Sequence, residues 1–202
     1  MILAVAGRRI DEKDAERARF PLGNVDRVRE AVHAMLVQQG ATAVVSSAAC
    51  GADLIALAEA GKLGIRRRVV LPFAREKFRE TSVVDRPGDW GVLYDEVLDQ
   101  VQAAGELVII GKLDHGDPYS VVSKLILDEA IKLGQERRES VGAAMVWDGA
   151  ARGTPDYTFE FGAEARRRGL GVLEILTIGD ALSQPAGYRS QGSVLDREDS
   201  EG

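Results

Sequence analysis

Three short stretches of the sequence contain the residue types that bind phosphate groups and ribose hydroxyls. The first is Gly7-Arg8-Arg9-Ile10-Asp11, which directly follows an apolar run. Its glycine lets a ligand approach the backbone, and the two guanidinium groups beside it suit a phosphate. The alternative is a surface turn with solvated arginines. The residue types alone leave both interpretations open.

The second stretch runs from Ser46 to Asp53 and consists of small residues as far as Ala52. Small residues expose their backbone N–H groups, and the N-terminus of a following helix carries a partial positive charge. We therefore expect Ser46, Ser47 and Gly51 to form an anion cradle. Asp53 either contacts the ligand or favours the helix dipole. The stretch matches neither the P-loop nor the glycine-rich dinucleotide-binding pattern.

The third stretch, residues 148–156, contains a glycine-rich turn between an apolar run and a helical pattern. We expect Thr154 to cap this helix and Pro155 to occupy its first position. The free N–H groups of Gly153 and of the first helical turn suit a phosphate. Asp148, at the tip of the preceding strand, is suited to accept hydrogen bonds from ribose. A well-capped turn without a ligand is the alternative.

Three other features carry weaker indications. The segment Phe73–Asp89 is polar and long for a connection, so it is either a lid over the site or part of an interface. His115 is more commonly a solvated loop residue than a base, and His33 has no indicated function. Cys50 is expected to be a small buried residue because no histidine is near it in sequence.

The elements that position these residues follow from the apolar pattern. Six short apolar runs alternate with helical patterns, and each run is continuously apolar, as in strands that are buried on both faces. The sequence predicts an α/β fold, a single doubly wound, mostly parallel Rossmann-like sheet of about six strands with helices on both faces. The predicted strands are Ile2–Ala6, Ala43–Ser46, Arg68–Leu71, Leu107–Ile110, Gly142–Trp147 and Val172–Ile175. The predicted helices are Val25–Leu36, Gly51–Leu63, Trp90–Ala104, Pro118–Leu133 and Thr154–Arg168.

This topology predicts where a ligand binds. In open parallel sheets the ligand lies at the carboxyl ends of the strands, where all three stretches are expected to meet. Arg66–Arg68 precede a strand and Arg166–Arg168 end a helix, so both triplets are expected at the opposite edge. We expect one domain over residues 1–182. Residues 183–202 are polar without periodicity and are predicted to be a disordered tail.

Composition excludes several functional classes. The chain has 202 residues and a formal net charge of −6, which argues against a protein that neutralises many phosphates of a nucleic acid. A single cysteine excludes an intrachain disulfide framework and a cysteine-rich zinc site. The two histidines are too few for a typical histidine-based metal site, so we predict no metal-binding residues. No apolar run is long enough for a membrane span, and the N-terminus lacks the order of a secretory signal. We expect a soluble, cytoplasmic protein without a membrane partner.

Five motifs in order along the chain resemble the SLOG superfamily, which contains the DNA-processing SMF proteins and the cytokinin-activating LOG proteins. They are Gly7-Arg8-Arg9-Ile10-Asp11, Arg19-Phe20-Pro21, Ser47-Ala48-Ala49-Cys50-Gly51-Ala52-Asp53, Leu71-Pro72-Phe73 and Thr81-Ser82-Val83. The resemblance covers about residues 1–176 and is greater to the signalling branch of the superfamily. It implies a Rossmann-like sheet that binds nucleotides or nucleotide-derived ligands.

The resemblance, together with the three stretches, defines the expected site. The predicted ligand-binding residues are Gly7, Arg8, Arg9, Arg19, Ser46, Ser47, Gly51, Asp53, Asp148, Gly149, Gly153 and Thr154. LOG-type phosphoribohydrolases have a PGGxGTxxE motif at the third stretch. This chain lacks the Pro-Gly-Gly, and Tyr157 stands at the place of the glutamate. The shorter Asp156 is the remaining candidate for a catalytic carboxylate.

Three functional hypotheses remain. The first is a sensor or signalling module that binds a nucleotide or nucleotide-derived signal, without a required cofactor. It would form a homo-oligomer and act on an effector or signalling partner. The second is a nucleotide N-glycosidase that releases a free base, which needs a carboxylate near the anomeric carbon. The third is a structural or oligomerisation subunit with a vestigial site.

Overall fold

A six-stranded parallel sheet forms the centre of the molecule. The computed structural model describes residues 1–111, 117–153 and 155–179. The strands are β1 (Ile2–Gly7), β2 (Ala43–Ser46), β3 (Arg66–Leu71), β4 (Leu107–Ile109), β5 (Val141–Trp147) and β6 (Val172–Leu176). Their order in the sheet is β4-β3-β2-β1-β5-β6, and every pair is parallel. The predicted doubly wound α/β fold is confirmed.

Helices cover both faces of the sheet. They are α1 (Val25–Gln38), α2 (Ala52–Lys62), α3 (Arg75–Ser82), α4 (Trp90–Ala103), α5 (Pro118–Arg137) and α6 (Tyr157–Arg167). Helices α1 to α4 pack on one face and form one apolar core with it, whereas α5 and α6 form a second core on the other face. The chain therefore changes faces between β4 and β5.

Strand β1 shows why the apolar runs become central strands. Successive side chains of a strand point to opposite faces of the sheet. Leu3 and Val5 lie in the core beneath α1 and α2, and Ile2 and Ala4 lie in the core beneath α5 and α6. All four are fully buried, and burying a large aliphatic side chain stabilises the fold by roughly 1.5–3 kcal/mol. A continuously apolar run is thus required here.

The long polar segment is not an open loop. The sequence pattern predicts a connection over Phe73–Asp89. In the structure this segment contains α3, and Phe78 of that helix is buried. The carbonyl of Ser82 accepts a hydrogen bond of 3.0 Å from the N–H of Cys50, which fixes the end of α3 against the second stretch. Only Phe78 and Ser82 of this short helix are buried, which is too few for a helical apolar period to be evident.

Several predicted boundaries are wrong, among them the end of α5, which is at Arg137 rather than Leu133. Strand β3 begins at Arg66 rather than Arg68, because the backbones of Arg66 and Arg67 pair with β2 while their side chains extend to the sheet edge. The carboxylate of Glu106 forms ion pairs with Arg66 and Arg68 there. Helix α6 begins at Tyr157 rather than at Thr154. The predicted tail, like His115, lies outside the described residues.

Candidate functional site

The carboxyl ends of β1 and β2 open into a cavity of about 450 Å³, a size typical of small-molecule sites. Gly7 and Ser47, which end or follow these strands, form its floor, together with Asp53 from the first turn of α2. Strand β1 lies between β2 and β5, so the cavity is at the point where the strand order reverses. Ligands of doubly wound folds bind at this point.

A buried ion-pair network closes one side of the cavity. The guanidinium of Arg8 is 2% exposed and donates from Nε to Asp148 (2.8 Å) and from Nη1 to Asp156 (2.5 Å). Its Nη2 donates to Asp156 and to the carbonyl of Ala150. Arg19 donates from Nη1 to the other oxygen of Asp148 at 2.7 Å. Every nitrogen of the Arg8 guanidinium is therefore already engaged by the protein.

Asp156 begins α6 in place of the predicted cap, Thr154. Its carboxylate accepts hydrogen bonds from the backbone N–H groups of Arg152 (2.7 Å) and Phe159 (3.2 Å). Burial acts to raise the pKa of Asp156, but Arg8 and these N–H groups outweigh burial and lower it. Thr154 itself lies outside the described residues. An aspartate that directly precedes a helix and accepts hydrogen bonds from its N–H groups is an effective N-cap.

Asp53 occupies the anion cradle that the sequence predicted. Its carboxylate accepts a hydrogen bond from the Ser47 hydroxyl, and its Oδ1 is buried with no hydrogen-bond partner among the described residues. Burial raises the pKa of Asp53 to about 6, although Ser47, the N–H groups of Ala49 and Gly7, and the charge of Arg9 oppose this rise. A phosphate bound at the N-terminus of α2 would lie next to the Asp53 carboxylate and would be repelled by its charge. The predicted cradle is therefore unsuited to phosphate while Asp53 is ionised.

The lining of the cavity is rich in arginine. The arginines of the lining are Arg8, Arg9, Arg17, Arg19, Arg86 and Arg152, whereas its carboxylates are Asp11, Glu12 and Asp53. Three further carboxylates, those of Asp85, Asp148 and Asp156, pair with these arginines from behind. Among the described residues, Arg17 and Arg152 form no side-chain ion pair.

Three of these arginines repel one another. Burial and the charges of Arg9 and Arg152 lower the pKa of Arg86, even though Arg86 forms an ion pair of 2.6 Å with Glu12. The Nε atoms of Arg9 and Arg86 are buried and lack hydrogen-bond partners in the described part of the chain. Unpaired buried donors next to like charges are unfavourable. An anion in the cavity beside these guanidinium groups would supply the opposite charge.

Aromatic side chains form the remaining wall. Tyr119 and Tyr157 lie 5.6 Å apart between ring centroids, with Phe73 beside Tyr119 at 6.2 Å. Val122 and Ile126 continue this wall along α5. The cavity thus has a cationic side and an aromatic side, with Asp53 on the floor.

The structure brings only some of the predicted site residues to the cavity. Those that line it are Gly7, Arg8, Arg9, Arg19, Ser47 and Asp53. Those that are outside its lining are Ser46, Gly51, Asp148, Gly149, Gly153 and Asp156. The hydroxyl of Ser46 donates to the carbonyl of Val5 at 2.8 Å, and Gly51 packs against the backbone of Arg8 and Ile10. These two residues therefore support the loop from behind.

Several lining residues were missed by the sequence analysis. They include Arg17, Tyr119, Val122, Ser123, Ile126 and Thr158. Arg86 and Arg152 lie within segments that the sequence singled out, and Tyr157 is named there without a ligand role. The α5 residues follow the spacing of one helix face, which is a detectable signal. The same spacing is equally typical of a helix face that packs in the core. The sequence therefore does not show that this face lies over the carboxyl ends of β1 and β2.

Comparisons with known proteins agree with the fold. No protein-family model matches this chain, and no curated protein matches it in sequence. The X-ray structure of DNA processing protein A (DprA) from Streptococcus pneumoniae is similar, with a TM-score of 0.50 at 14% sequence identity. The match covers 90% of this chain and 51% of that chain, so this chain spans about half the length of DprA. DprA is a SLOG-family protein with a Rossmann-like fold, and at this identity the likeness extends to the fold alone.

The described residues contain no helix that is both long and apolar enough to cross a membrane. Nor do they contain a cluster of three or more side chains suited to hold a metal ion.

Proposed function

We propose that this chain binds a nucleotide or a nucleotide-derived signal in the cavity and acts as a sensor or signalling module. The observation that carries the proposal is the convergence of Arg9, Arg86 and Arg152 on one side of a cavity at the carboxyl ends of β1 and β2. Arg9 and Arg152 both repel Arg86, and Arg152 has no ion-pair partner among the described residues, which favours an anionic group such as a phosphate. The resemblance to the signalling branch of the SLOG superfamily supports the same function.

The two arginines that the sequence emphasised have different roles in this proposal. Arg9 contacts the anion, because its side chain lines the cavity and is 27% exposed. Arg8 instead holds the turn between β5 and α6 in place, because Asp148, Asp156 and Ala150 already accept from it. Arg152 is placed by the same turn.

Equilibrium dialysis against a nucleotide panel tests the proposal. The panel contains mono-, di- and triphosphates, cyclic nucleotides and ADP-ribose, and the retained species is identified by chromatography. We expect one species to be retained intact, and we expect Arg152→Gln and Arg86→Gln each to weaken its binding roughly tenfold or more. The matched control is Arg167→Gln, which removes the same charge from an exposed side chain at the opposite end of α6. Retention of none of the panel by the wild-type protein would refute the proposal.

A second candidate, cleavage of the N-glycosidic bond of the bound nucleotide, is favoured by the buried, unpaired Oδ1 of Asp53. In this reaction a water oxygen bonds to the anomeric carbon while the bond from that carbon to the base nitrogen breaks. Asp53 would accept one proton of the water and then release it, and the nitrogen of the departing base would take up that proton, so that Asp53 ends the reaction ionised as it began. Asp156 is less suited to this role, because Arg8 and two backbone N–H groups occupy its carboxylate.

Release of free base during the dialysis separates the two functions. If the chain is a glycosidase, Asp53→Asn will abolish base release while the nucleotide still binds. If the nucleotide is recovered intact over a day at 37 °C, the glycosidase is excluded and the sensor remains. A homo-oligomer and an effector protein are further parts of the sensor hypothesis. Sedimentation velocity with and without the retained nucleotide tests the oligomer.

A further inference from the structure

We propose that Tyr119 and Tyr157 form the base-binding subsite of the cavity, on which the aromatic base of a mononucleotide stacks. This inference rests on the proposed function. It assigns the phosphate and the base of the ligand to different sides of the cavity. The phosphate lies on the side of Arg9 and Arg86, and the base lies on the side of the two tyrosines.

The position of the pair supports a stacking role. Tyr119 is in the first turn of α5 and Tyr157 is the first residue of α6, so two separate helices bring the rings together at 5.6 Å. Both rings line the cavity and both are half-buried, which leaves ring surface open to it. Aromatic faces bind bases with little dependence on sequence because every base has a π-face.

The two rings are held before any ligand arrives. The hydroxyl of Tyr119 is hydrogen-bonded to that of Ser82 at 3.2 Å, and Phe73 packs edge-on to the Tyr119 ring. Burial and the neighbouring carboxylate of Asp117 raise the pKa of Tyr157, so its hydroxyl stays neutral. Rings that are fixed in this way lose little conformational freedom when a base stacks on them.

The polar groups near the pair suit the edge of a base. The hydroxyls of Ser123 and Thr158 line the same wall, and Val122 and Ile126 make the surface between them apolar. Ligand sites are commonly apolar walls with a few placed polar groups. A sugar phosphate without a base would leave this wall uncovered.

Two ligands that differ only in the base test the subsite. Isothermal titration calorimetry measures the dissociation constants of AMP and ribose 5-phosphate for the wild-type protein and for Tyr119→Leu, Tyr157→Leu and both tyrosine-to-phenylalanine variants. We expect AMP to bind roughly tenfold to a hundredfold more tightly than ribose 5-phosphate. We expect each leucine variant to remove most of that ratio by weakening AMP alone, and each phenylalanine variant to keep it.

A control variant separates stacking from general loss of packing. Phe159→Leu removes an exposed aromatic ring from α6 outside the cavity, and we expect it to keep the ratio of the two affinities. Thermal unfolding of every variant shows whether the fold is retained, and unchanged ribose 5-phosphate affinity shows that the cationic side is intact.

Three outcomes overturn the subsite. Equal affinities for AMP and ribose 5-phosphate would show that the base makes no contribution, while the cationic side stays established. An unchanged ratio in both leucine variants would place the base elsewhere in the cavity. If the panel retains another nucleotide but neither AMP nor ribose 5-phosphate binds, a subsite for a mononucleotide base is wrong although the proposed function stands.

Discussion

At the scale of single residues, the same side-chain types have opposite roles a few ångströms apart. Arg8 and Arg9 are adjacent in sequence, yet Arg8 is fully engaged by two buried carboxylates whereas Arg9 retains a buried donor without a partner. Asp53 and Asp156 both lie in the first turn region of a helix. Only Asp53 has a carboxylate oxygen that is unpaired and a pKa that is raised.

The raised pKa of Asp53 predicts how stability depends on pH. The pKa of Asp53 is about 6 in the folded protein, whereas an aspartate in the unfolded chain has a pKa of 3.8. Protonation of Asp53 therefore favours the folded state. This contribution is complete below about pH 4 and is lost as the pH rises through 6. We expect Asp53→Asn to raise the free energy of unfolding by roughly 1–3 kcal/mol at pH 8 and by less as the pH falls towards 4.

Urea unfolding at pH 4.5, 6 and 8 measures this difference, with Asp99→Asn as a control at an exposed carboxylate that is outside the cavity lining. A constant difference between Asp53→Asn and the wild type at all three pH values would contradict a raised pKa. The same titration predicts that sulfate, whose charge is constant in this range, binds more tightly below pH 6 than above it. Asp53→Asn should remove that dependence.

The Arg8 network predicts a large loss of stability. Arg8→Ala leaves the carboxylates of Asp148 and Asp156 buried with fewer donors, and breaking one partner of such a network costs about 3–5 kcal/mol. Arg167→Ala removes an exposed partner of Glu164 and should cost less than about 1 kcal/mol. Equal losses for the two variants in urea unfolding would show that the buried network does not stabilise the fold.

At the scale of elements, close packing explains a glycine that the sequence suggested for ligand approach. A Cβ on Gly7 would be 2.9 Å from the Cβ of Val146 and closer still to Ala52 at the start of α2. The glycine therefore lets α2 and β5 approach the end of β1. That approach places Asp53 and the turn after β5 beside the same cavity floor.

Gly7→Ala tests this packing. We expect a loss of roughly 1–3 kcal/mol, because β1, β5 and α2 must move apart to accept one methyl group. Gly23→Ala is the matched control, since a Cβ there meets nothing within 4 Å, and it should change stability by less than about 0.5 kcal/mol. Thermal and urea unfolding provide the comparison. A neutral Gly7→Ala would show that this contact is not needed.

At the scale of the whole molecule, the charge is distributed unevenly. The net charge is −6, yet six arginines line the cavity against three carboxylates. The arginine triplets at the opposite edge are neutralised locally, for example by Glu106 and Glu164. The three lining carboxylates together with Asp85, Asp148 and Asp156 balance these six arginines, so an anionic ligand would be repelled less at the cavity than elsewhere on this acidic molecule. This difference should weaken with salt.

Ligand binding should be visible as a gain in global stability. A ligand that binds only the folded state at a hundred times its dissociation constant adds about 2.7 kcal/mol to the free energy of unfolding. We expect the nucleotide retained in dialysis to raise the melting temperature of the wild type and of Arg167→Gln. In Arg152→Gln the rise should be smaller at the same ligand concentration. A rise that is unaffected by Arg152→Gln would place the ligand outside the cationic side.

The parallel α/β fold, most boundaries of its elements, and the edge of the sheet where the cavity lies could all be predicted from the amino-acid sequence. These features follow from local patterns, since a continuously apolar run and a helical period are visible within a few residues. Helix α3 and the start of α6 were missed or misplaced, because one buried phenylalanine and a side-chain cap leave little periodic signal.

The tertiary structure was needed to show which of the predicted site residues line the cavity. Arg8 meets Asp148 and Asp156 about 140 residues away because β1 pairs with β5, a neighbour that no local pattern specifies. Because of that pairing, Arg8 stabilises the turn between β5 and α6. The Nε of Arg9, by contrast, has no hydrogen-bond partner among the described residues. The placement of Tyr119 beside Tyr157 likewise depends on two helices packing together. The sequence specifies the chemistry of each side chain, but contacts between distant segments determine the hydrogen-bond partners of that side chain and its burial.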